Sequence, residues 1–596
     1  MKVSDYIATY LSKNNVKKVF SITGGASIHL IHSLAEIGSI DYVAMHHEQS
    51  CAMAADGYSR TSKSLGVALA TSGPGATNLI TGIACAWFDS IPCLFITGQV
   101  TRFRMKGDLK VRQIGFQETD IISMVKTITK YNCQIMNKTQ IKYELDKCIY
   151  YANEGRPGPV LIDIPDDIQR SELKINDFVY MNKKNFKFKS KLLEKKNYTV
   201  LNKKIYKLLK LINNSKRAII IVGNGVRLSS SINDLKKLQK ILNVPFVSTW
   251  AMLDIWNSDD KNNCGSFGTH GSRYGNFAVQ NSDLIISIGA RLGTRETGSP
   301  LSSFARKAKF VVIDIDKYEL SKFQKFGKKC DIKFNLDAKI FLKLLLSKLK
   351  NYHKMDYSEW KKNINLWKKK YPSGPKIPFN RKKVCPYTLY QNLSKYFSSN
   401  EIIITDTGST IAWASQALKF NGRIRLIHDF NNTAMGYALP ASIGALMANP
   451  KKNITCVAGD GSFMMNIQEL STVREYNLPL KIILINNEGY SMVKQTQEQW
   501  LGGKFYATSK GYGLSFPNFK KIAEAFNIEY IKIKNNDELT KLKVLKNQKK
   551  ALFIEIIVDE NERVIPQSKF GYPIEDSEPL LPREEFRANM IIDPIT

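Results

Sequence analysis

The chain has 596 residues, of which 43% are hydrophobic and 10% aromatic, so it can form several buried cores and is not largely disordered. Its 87 Lys and Arg residues exceed its 53 Asp and Glu residues, which gives a net charge of +34. Such a charge would fit a polyanionic partner such as nucleic acid or an anionic lipid surface. The basic residues are scattered, however, without a repeated basic and aromatic pattern. We therefore interpret them as solvated faces and expect neither a nucleic-acid nor a membrane partner.

Cysteine content and the N-terminal sequence bear on the cellular compartment. The nine cysteines include no C-x-x-C pair, which favours reduced thiols over a disulfide framework or a zinc site. Residues 1–16 predict an amphipathic helix rather than a signal peptide, and the sequence has no run of about 18 apolar residues. We expect a cytoplasmic protein with no membrane-spanning segment.

Short β-branched runs alternate with helical patterns along most of the chain. In chain order, the predicted strands are Val19–Thr23, Asp41–Ala44, Gly66–Ala70, Cys93–Thr97, Val160–Ile164, Ala218–Val222, Leu284–Ile288, Phe310–Ile315, Ile402–Thr405, Ile454–Ala458 and Lys481–Ile485. Strands separated by helices are typical of parallel sheets that are covered on both faces. The predicted fold class is therefore α/β, with three doubly wound parallel-sheet domains.

Lys-rich stretches near 171–200 and 350–385 lose this periodicity and predict breaks between domains. The predicted units are three α/β domains followed by a tail: 1–170, 200–345, 385–560 and 561–596. Because the tail is rich in Pro and acidic residues, we expect it to form an ordered lid or clamp.

The clearest chemical motif lies in the third domain. A predicted strand runs into Gly459-Asp460-Gly461-Ser462, and Asn487 follows the next predicted strand. In open α/β sheets, ligands bind at the carboxyl ends of the strands, and the glycines let a phosphate approach the backbone. Carboxylate and amide oxygens suit Mg²⁺. The alternative is a tight turn followed by an Asn-capped helix, and the spacing makes us favour the metal site.

This pairing resembles the signature of the thiamine diphosphate enzymes. The resemblance implies that Asp460, Asn487 and the backbone carbonyl of Gly489 bind Mg²⁺, which in turn holds the diphosphate of the cofactor. It also implies that the cofactor contacts further residues of the third domain: Gly408, Ser409, Thr410, Met435, Gly459, Gly461, Ser462, Tyr490 and Met492. Met435 matches the large apolar residue beneath the thiazolium ring, although an ordinary core methionine is the alternative. Where this chain has Ser409-Thr410, the family carries Gln-His.

The family also needs a glutamate that contacts the aminopyrimidine ring, and Glu48 in His46-His47-Glu48-Gln49 is the candidate. By itself, Glu48 reads better as a solvated residue that begins a helix. Its context resembles the acetolactate synthase branch, through an Ala-Ala-Asp-Gly-Tyr-Ser-Arg segment and five further matching motifs. The resemblance implies that Glu48 is catalytic and that other first-domain residues bind the cofactor: Gly24, Gly25, Pro74, Asn78 and Gln117.

The central domain carries a weaker nucleotide-site pattern of glycines, basic residues and acids after strands. Its candidate residues are Gly223, Gly225, His270, Gly289, Arg291, Arg295, Asp314 and Asp316. The resemblance to acetolactate synthase implies FAD in a non-redox role, while other branches of the family bind an adenine nucleotide here or nothing.

The resemblance implies decarboxylation of a 2-keto acid, expected to be pyruvate, and ligation of the two-carbon unit to a second carbonyl, as in branched-chain amino acid biosynthesis. Thr496 replaces a Trp that helps select the acceptor in that branch, and the tail also departs from its usual ending. The alternatives are transfer to a nucleotide-linked keto-sugar in surface polysaccharide biosynthesis, simple decarboxylation, and an inactive scaffold protein. The family's shared sites imply a homodimer or homotetramer.

Overall fold

The computed structural model describes residues 1–180, 195–349, 355–375, 382–397 and 400–595. Residues 181–194 of the charged break predicted near 171–200 lie outside the described residues. No helix in the described part of the chain is long and apolar enough to cross a membrane.

The first domain is built on six parallel strands: β1 (Lys18–Ser21), β2 (Asp41–Ala44), β3 (Gly66–Ala70), β4 (Cys93–Gln99), β5 (Tyr131–Gln134) and β6 (Val160–Pro165). Its helices are α1 (Val3–Lys13), α2 (Ile28–Glu36), α3 (Glu48–Ser62), α4 (Pro74–Asn78), α5 (Ile80–Asp89), α6 (Ile121–Val125), α7 (Ile141–Asn153) and α8 (Asp166–Gln169). The strand order is β2-β1-β3-β4-β6-β5. The central strands β3 and β4 are buried along their whole length, because helices cover both faces of the sheet.

The central domain has a second parallel sheet of six strands: β7 (Ala218–Val222), β8 (Phe246–Ser248), β9 (Asn263–Ser266), β10 (Leu284–Ile288), β11 (Lys309–Asp314) and β12 (Ile332–Asn335). Its helices are α9 (Lys195–Asn213), α10 (Gly225–Leu228), α11 (Ile232–Leu242), α12 (Arg273–Gln280), α13 (Thr294–Thr297), α14 (Lys317–Lys325), α15 (Ala338–Lys348) and α16 (Ser358–Lys370). The strand order is β12-β11-β10-β7-β8-β9.

Helix α16 lies inside the stretch that the sequence predicts as a break near 350–385. Its apolar residues Trp360, Ile364 and Trp367 recur at helical spacing and are buried in the core of the central domain. The many lysines of this helix, of which Lys362, Lys369 and Lys370 are exposed, conceal this pattern in the composition. The central domain therefore extends beyond residue 345.

The third domain has the same architecture, with strands β13 (Glu401–Thr405), β14 (Arg425–Ile427), β15 (Asn453–Gly459), β16 (Lys481–Asn486), β17 (Glu529–Ile533) and β18 (Leu552–Ile557). Its helices are α17 (Pro386–Leu393), α18 (Ser409–Ala417), α19 (Ala438–Ala448), α20 (Asp460–Phe463), α21 (Leu470–Glu475), α22 (Ser491–Leu501) and α23 (Phe519–Ala525). The strand order is β14-β13-β15-β16-β18-β17, again parallel throughout. Three parallel sheets confirm the predicted α/β class.

The tail adds a short antiparallel pair, β19 (Gln567–Ser568) and β20 (Ser577–Glu578), and helix α24 (Arg583–Asn589). Short 3-10 helices connect the elements above: Gly25–Ser27, Arg102–Arg104, Lys138–Gln140, Ile175–Asp177, Trp250–Ile255, Leu301–Ser303, Ser394–Tyr396, Ile467–Glu469 and Asp537–Lys546.

The first and third domains share one hydrophobic core within a chain. Helices α3 and α19 make its closest contact, because glycines let the backbones meet. A Cβ on Gly57 would lie 2.2 Å from the carbonyl oxygen of Ala441, and one on Gly444 would lie 1.9 Å from that of Ala54. The central domain has a separate core.

Candidate active site

A cavity of about 290 Å³ lies at the carboxyl edge of the third sheet. It is lined by every third-domain residue predicted for the cofactor or the metal: Gly408, Ser409, Thr410, Met435, Gly459, Asp460, Gly461, Ser462, Asn487, Gly489, Tyr490 and Met492. It also includes residues that the motifs did not single out: Thr407, Trp413, Thr433, Ile485, Ser491 and Val493. Each of these residues lies within two positions of a predicted residue or one helical turn away from one. A search along the sequence around the predicted residues could therefore have found them.

The order of the strands explains why these segments converge. β15 pairs with β13 on one side and with β16 on the other, and all three run in the same direction. Their carboxyl ends therefore place Thr407–Thr410, Asp460 and Asn487 side by side at one edge of the sheet.

Asp460 is almost fully buried, and its carboxylate accepts hydrogen bonds from the backbone N–H groups of Gly461 (2.6 Å) and Asn487 (3.0 Å). Burial raises the pKa of Asp460 to about 7. A nearby cation would favour the charged form of this carboxylate. The Asn487 side-chain N–H donates to the Ser491 hydroxyl, so the amide oxygen is the atom of that side chain that could bind a metal.

The donor set fits Mg²⁺ rather than a metal held wholly by protein side chains. Among the described residues, no group of three or more His, Cys, Asp and Glu side chains could hold a metal ion. One carboxylate, one amide oxygen and a backbone carbonyl suffice for Mg²⁺, which usually completes its shell with water and substrate phosphates.

Space and unpaired groups in the cavity also fit a diphosphate. A Cβ on Gly461 would lie 2.1 Å from the Tyr490 ring, while nothing lies within 4 Å of a Cβ position on Gly459. Gly408 has φ of +76°, a conformation that favours glycine, and it begins helix α18. The buried Ser409 hydroxyl has no hydrogen-bond partner among the described residues. A phosphate at this helix N-terminus would provide one.

The predicted first-domain residues form a second cluster, at the carboxyl ends of β1 and β3 and at the start of α3. Asn78 donates a hydrogen bond of 2.9 Å to the Glu48 carboxylate. The other Glu48 oxygen lies 3.3 Å from the Cβ position of Gly75, which follows Pro74. The loops approach closely here, and a Cβ on Gly24 would lie 2.6 Å from Thr71.

Gln117 joins this cluster from the loop after β4. It has φ of +63°, and its backbone and Cβ lie against the Cβ position of Gly73. Gly25, in contrast, faces open space. The residues that the resemblance groups around Glu48 are therefore neighbours in the fold.

The two clusters do not form one cavity within a chain. Every residue that lines the third-domain cavity belongs to the third domain, and Glu48 is not among them. Each chain thus has two separate clusters of predicted residues, one around Glu48 and one around Asp460.

A separate cavity of about 330 Å³ opens where the central domain meets the other two. Five predicted central-domain residues line it: Gly225, Gly289, Arg291, Arg295 and Asp314. Burial raises the pKa of Asp314 to about 6. The first domain contributes Arg156, and the third contributes Phe430 and Asn431. None of these three was predicted for this site, because neither spacing nor motif links them to the central sheet.

The remaining predicted central-domain residues lie outside this cavity. Gly223 lets the turn after β7 pack on the backbone of Ala290, because a Cβ on Gly223 would lie only 2.0 Å from the Ala290 Cα. Asp316 pairs with Arg156 and caps helix α14. His270 is buried near Trp250, and neither ring nitrogen has a partner among the described residues. Burial, with Arg295 nearby, lowers its pKa to about 3.

The tail packs mainly against the central domain. Glu575 is buried and pairs with Arg306 at 2.8 Å, and Arg273 donates to the carbonyl oxygen of Ser577 at 3.0 Å. Ile574 and Phe586 enter the central core. The tail is therefore packed on the central domain, and its role as a lid or clamp stays a prediction.

Comparisons with known proteins agree with this arrangement. The sequence matches three domains of the thiamine pyrophosphate (thiamine diphosphate) enzymes: the N-terminal TPP binding domain over residues 1–124, the central domain over 205–345 and the C-terminal TPP binding domain over 406–556.

The chain is also similar over nearly its full length to acetolactate synthases. It is 34% identical over 588 residues to acetolactate synthase 2, chloroplastic, of Nicotiana tabacum, which covers 96% of this chain and 85% of the relative. It is 33% identical over 572 residues to the acetolactate synthase large subunit of Lactococcus lactis subsp. lactis, which covers 95% and 94%. With its three α/β domains, the chain belongs to the thiamine diphosphate-dependent enzymes, as a carboligase of the acetolactate synthase type.

Proposed function

We propose that this enzyme decarboxylates pyruvate and transfers the two-carbon unit to the carbonyl group of an acceptor. The observation that carries the proposal is the third-domain cavity, in which Asp460, Asn487 and Gly489 surround one space beside Met435. The similarity to acetolactate synthases supports the same reaction.

Thiamine diphosphate, when bound, supplies the nucleophilic carbon and the electron sink that the decarboxylation requires. In our proposal, Asp460, Asn487 and the Gly489 carbonyl hold Mg²⁺, and Gly408–Thr410 bind the diphosphate at the N-terminus of α18. Met435, which lines the same cavity, would support the thiazolium ring. Glu48 hydrogen-bonds the pyrimidine ring, and the bond from Asn78 fixes the orientation of its carboxylate.

We further propose that the catalytic assembly is a homodimer, or a homotetramer made of such dimers. The half-site around Glu48 and the cavity around Asp460 are separate within one chain. If the first domain of one chain faces the third domain of another, the two half-sites complete each other, and a symmetric dimer then holds two sites.

FAD in a non-redox role is our proposed occupant of the central cavity. Gly225 and Gly289 both line this cavity, and their backbones pack against each other, with a Cβ on Gly225 only 2.8 Å from the Gly289 Cα. Arg291 provides a positive charge in the cavity, and Asp314 provides an acceptor for ribose hydroxyls.

The acceptor is the open part of the proposal. A second keto acid is the first candidate, and it would place the enzyme in branched-chain amino acid biosynthesis. A nucleotide-linked keto-sugar is the second, since Thr496 on helix α22 stands where the resemblance places a Trp that helps select the keto-acid acceptor.

We propose a cytoplasmic location, which the nine free cysteines of the structure support. One experiment tests the functional proposal as a whole. The purified enzyme is denatured, the released cofactors are identified by mass spectrometry, and the native enzyme is assayed with pyruvate alone and with candidate acceptors.

Release of thiamine diphosphate, with acetolactate formed from pyruvate alone, would support the keto-acid acceptor. Product formed only after a keto-sugar nucleotide is added would support the second candidate. Release of acetaldehyde with either acceptor present would identify a simple decarboxylase, and no release of CO₂ from pyruvate would overturn the proposal.

A further inference from the structure

One buried carboxylate contacts three segments of the third-domain cavity. Asp406 directly follows β13 and is 1% exposed. One of its oxygens accepts from the backbone N–H groups of Thr407 (2.9 Å) and Gly436 (3.1 Å), and the other accepts from that of Ala438 (2.9 Å). It also bonds to the side chain of Ser462. The diphosphate-side loop, the segment that carries Met435 and the Gly-Asp-Gly-Ser turn therefore share one anchor.

A second buried carboxylate holds the other side of the Met435 segment. Asp429 accepts from the backbone N–H of Ala434 at 3.0 Å and from that of Asn432 at 3.3 Å. Met435 thus lies between one residue bonded to Asp429 and one residue, Gly436, bonded to Asp406.

The backbone of this segment needs such support. Thr433 has φ of +53° and Gly436 has φ of +83°, so the chain enters the left-handed region on both sides of Met435. A non-glycine residue pays a conformational cost there, and the conformation persists only when the surroundings determine it. Four backbone hydrogen bonds hold this conformation: those of Asn432 and Ala434 to Asp429, and those of Gly436 and Ala438 to Asp406.

Neither carboxylate is explained by an ion pair within the third domain. The partners of Asp406 are N–H groups and a hydroxyl, and burial raises its pKa to about 6. Burial and the nearby Asp89 raise the pKa of Asp429. A buried, charged carboxylate costs stability, but its hydrogen bonds can fix the geometry of the backbone that donates them. Here, the backbone that the two carboxylates fix is the one that carries Met435.

We propose that Asp406 and Asp429 are positioning residues that set where the Met435 side chain stands relative to the diphosphate-binding loops. The inference rests on the proposed function, in which Met435 supports the thiazolium ring. It adds two residues that touch neither the cofactor nor the substrate and act through the backbone of residues 433–438.

A double-mutant cycle tests the proposal. Asp406→Asn keeps the shape of the side chain but leaves at least one of the three backbone donors without an acceptor. We expect it to lower kcat at saturating thiamine diphosphate and Mg²⁺ by tenfold or more, with the KM for pyruvate changed by less than about threefold, because misplacement of a supporting group by about 1 Å costs up to 10²-fold. In a Met435→Ala background, the same change should lower kcat by less than about threefold, since both act on one geometry.

A second readout is independent of the loaded enzyme. In the cofactor-free protein, Asp406→Asn should speed amide hydrogen exchange in peptides that cover residues 433–438. The control is Thr455→Val, which removes a buried bond of 2.7 Å to Glu401 at the amino end of β15. It should lower the melting temperature comparably without changing kcat or exchange in that segment. If Asp406→Asn does not fold, Asp429→Asn is carried through the same cycle.

Independent, multiplicative effects of the two substitutions on kcat, or unchanged exchange at 433–438, would overturn the inference while leaving the proposed function intact. If Met435→Ala alone left kcat unchanged, the role of Met435 in the proposed function would fail, and the inference with it.

Discussion

Asp460 and Glu48 are both acids at the end of a strand or the start of a helix, yet their surroundings prepare them for different tasks. Asp460 is buried among backbone N–H donors, which suits a metal ligand. Glu48 is half-buried, with one oxygen bonded to Asn78 and the other beside Gly75. A carboxylate held in this way can present a fixed oxygen to a partner ring.

The role of Glu48 gives the first prediction. Glu48→Gln keeps the shape and can still accept the bond from Asn78, but it cannot carry the charge that proton movement requires. We expect CO₂ release from pyruvate to fall by about 10²-fold or more, the usual contribution of acid–base groups. Initial rates at saturating cofactor provide the measurement, with Glu36→Gln on exposed helix α2 as the control. Activity within about tenfold of the wild type, or roughly 1.4 kcal/mol, would show that Glu48 has been misassigned.

A pH dependence follows from His428. Burial lowers its pKa from 6.5 to about 4, and its Nδ1 lies 2.9 Å from the carbonyl oxygen of Thr405. Between these pH values the unfolded chain binds a proton that the folded protein does not, so the contribution of His428 to stability is present above pH 6.5 and is lost as the pH falls towards 4. Among the charged neighbours of the ring, Asp89 raises the pKa of His428, while Arg295 and Arg60 lower it.

We expect His428→Gln to remove this dependence. The amount by which the melting temperature of the wild type exceeds that of the variant should be largest above pH 6.5 and should shrink towards pH 4. Differential scanning fluorimetry across that range measures it. Buried carboxylates with raised pKa shift stability in the opposite direction in both proteins, so the difference reports His428. A gap that stays constant with pH would contradict the assignment.

At the scale of elements, the central strands are the part of the fold that the sequence predicts best. The ranges predicted for β3, β7 and β10 are those observed, because buried parallel strands are continuous apolar runs between turns. The range predicted for the exposed edge strand β2 is also the one observed. Sequence reasoning missed edge strands such as β5 and β17, which are only partly buried and carry polar residues. It also missed α16, whose lysines conceal its apolar face.

Close packing of α3 on α19 gives a prediction at this scale. In Gly57→Ala, the new methyl group would lie 2.2 Å from the Ala441 carbonyl oxygen, so the helices must separate. We expect a loss of stability of about 1–3 kcal/mol, typical of overpacking, despite the better helix propensity of alanine. Thermal unfolding compares it with Ser62→Ala at the end of the same helix. A melting temperature equal to or above that of the control would mean that the helices are not packed as described.

At the scale of the whole molecule, the separation of the two half-sites predicts complementation between chains. Glu48→Gln damages one half-site and Asp460→Ala the other, so each variant alone should be inactive. In a mixed dimer, one site combines the intact first domain of one chain with the intact third domain of the other. Random pairing should then restore roughly a quarter of the wild-type activity, since half of the dimers carry one intact site of two.

Coexpression with two different affinity tags, followed by purification through both, isolates the mixed dimer for this assay. Glu48→Gln coexpressed with itself under both tags is the control and should stay inactive. If the isolated mixed dimer is as inactive as the control, the site is not shared between chains, and the proposed dimer is wrong.

The sequence by itself determined the α/β class, since strand periodicity is a local property of the chain, and the spacing from Asp460 to Asn487 predicted where the metal site lies. It also indicated the roles of Glu48 and Met435 through the resemblance to a family. The net charge of +34 determined nothing about the chemistry, because charges on solvated faces are screened and need no specific partner.

Only the tertiary structure decided which distant residues meet. Asp406 and Asp429 carry no motif, and their importance appears only when the ends of β13 and β14 bring them to either side of Met435. The same holds for Phe430 and Asn431 in the central cavity and for the separation of Glu48 from Asp460. Contacts between segments far apart in the chain depend on strand order and domain packing, and no local pattern in a single sequence encodes these.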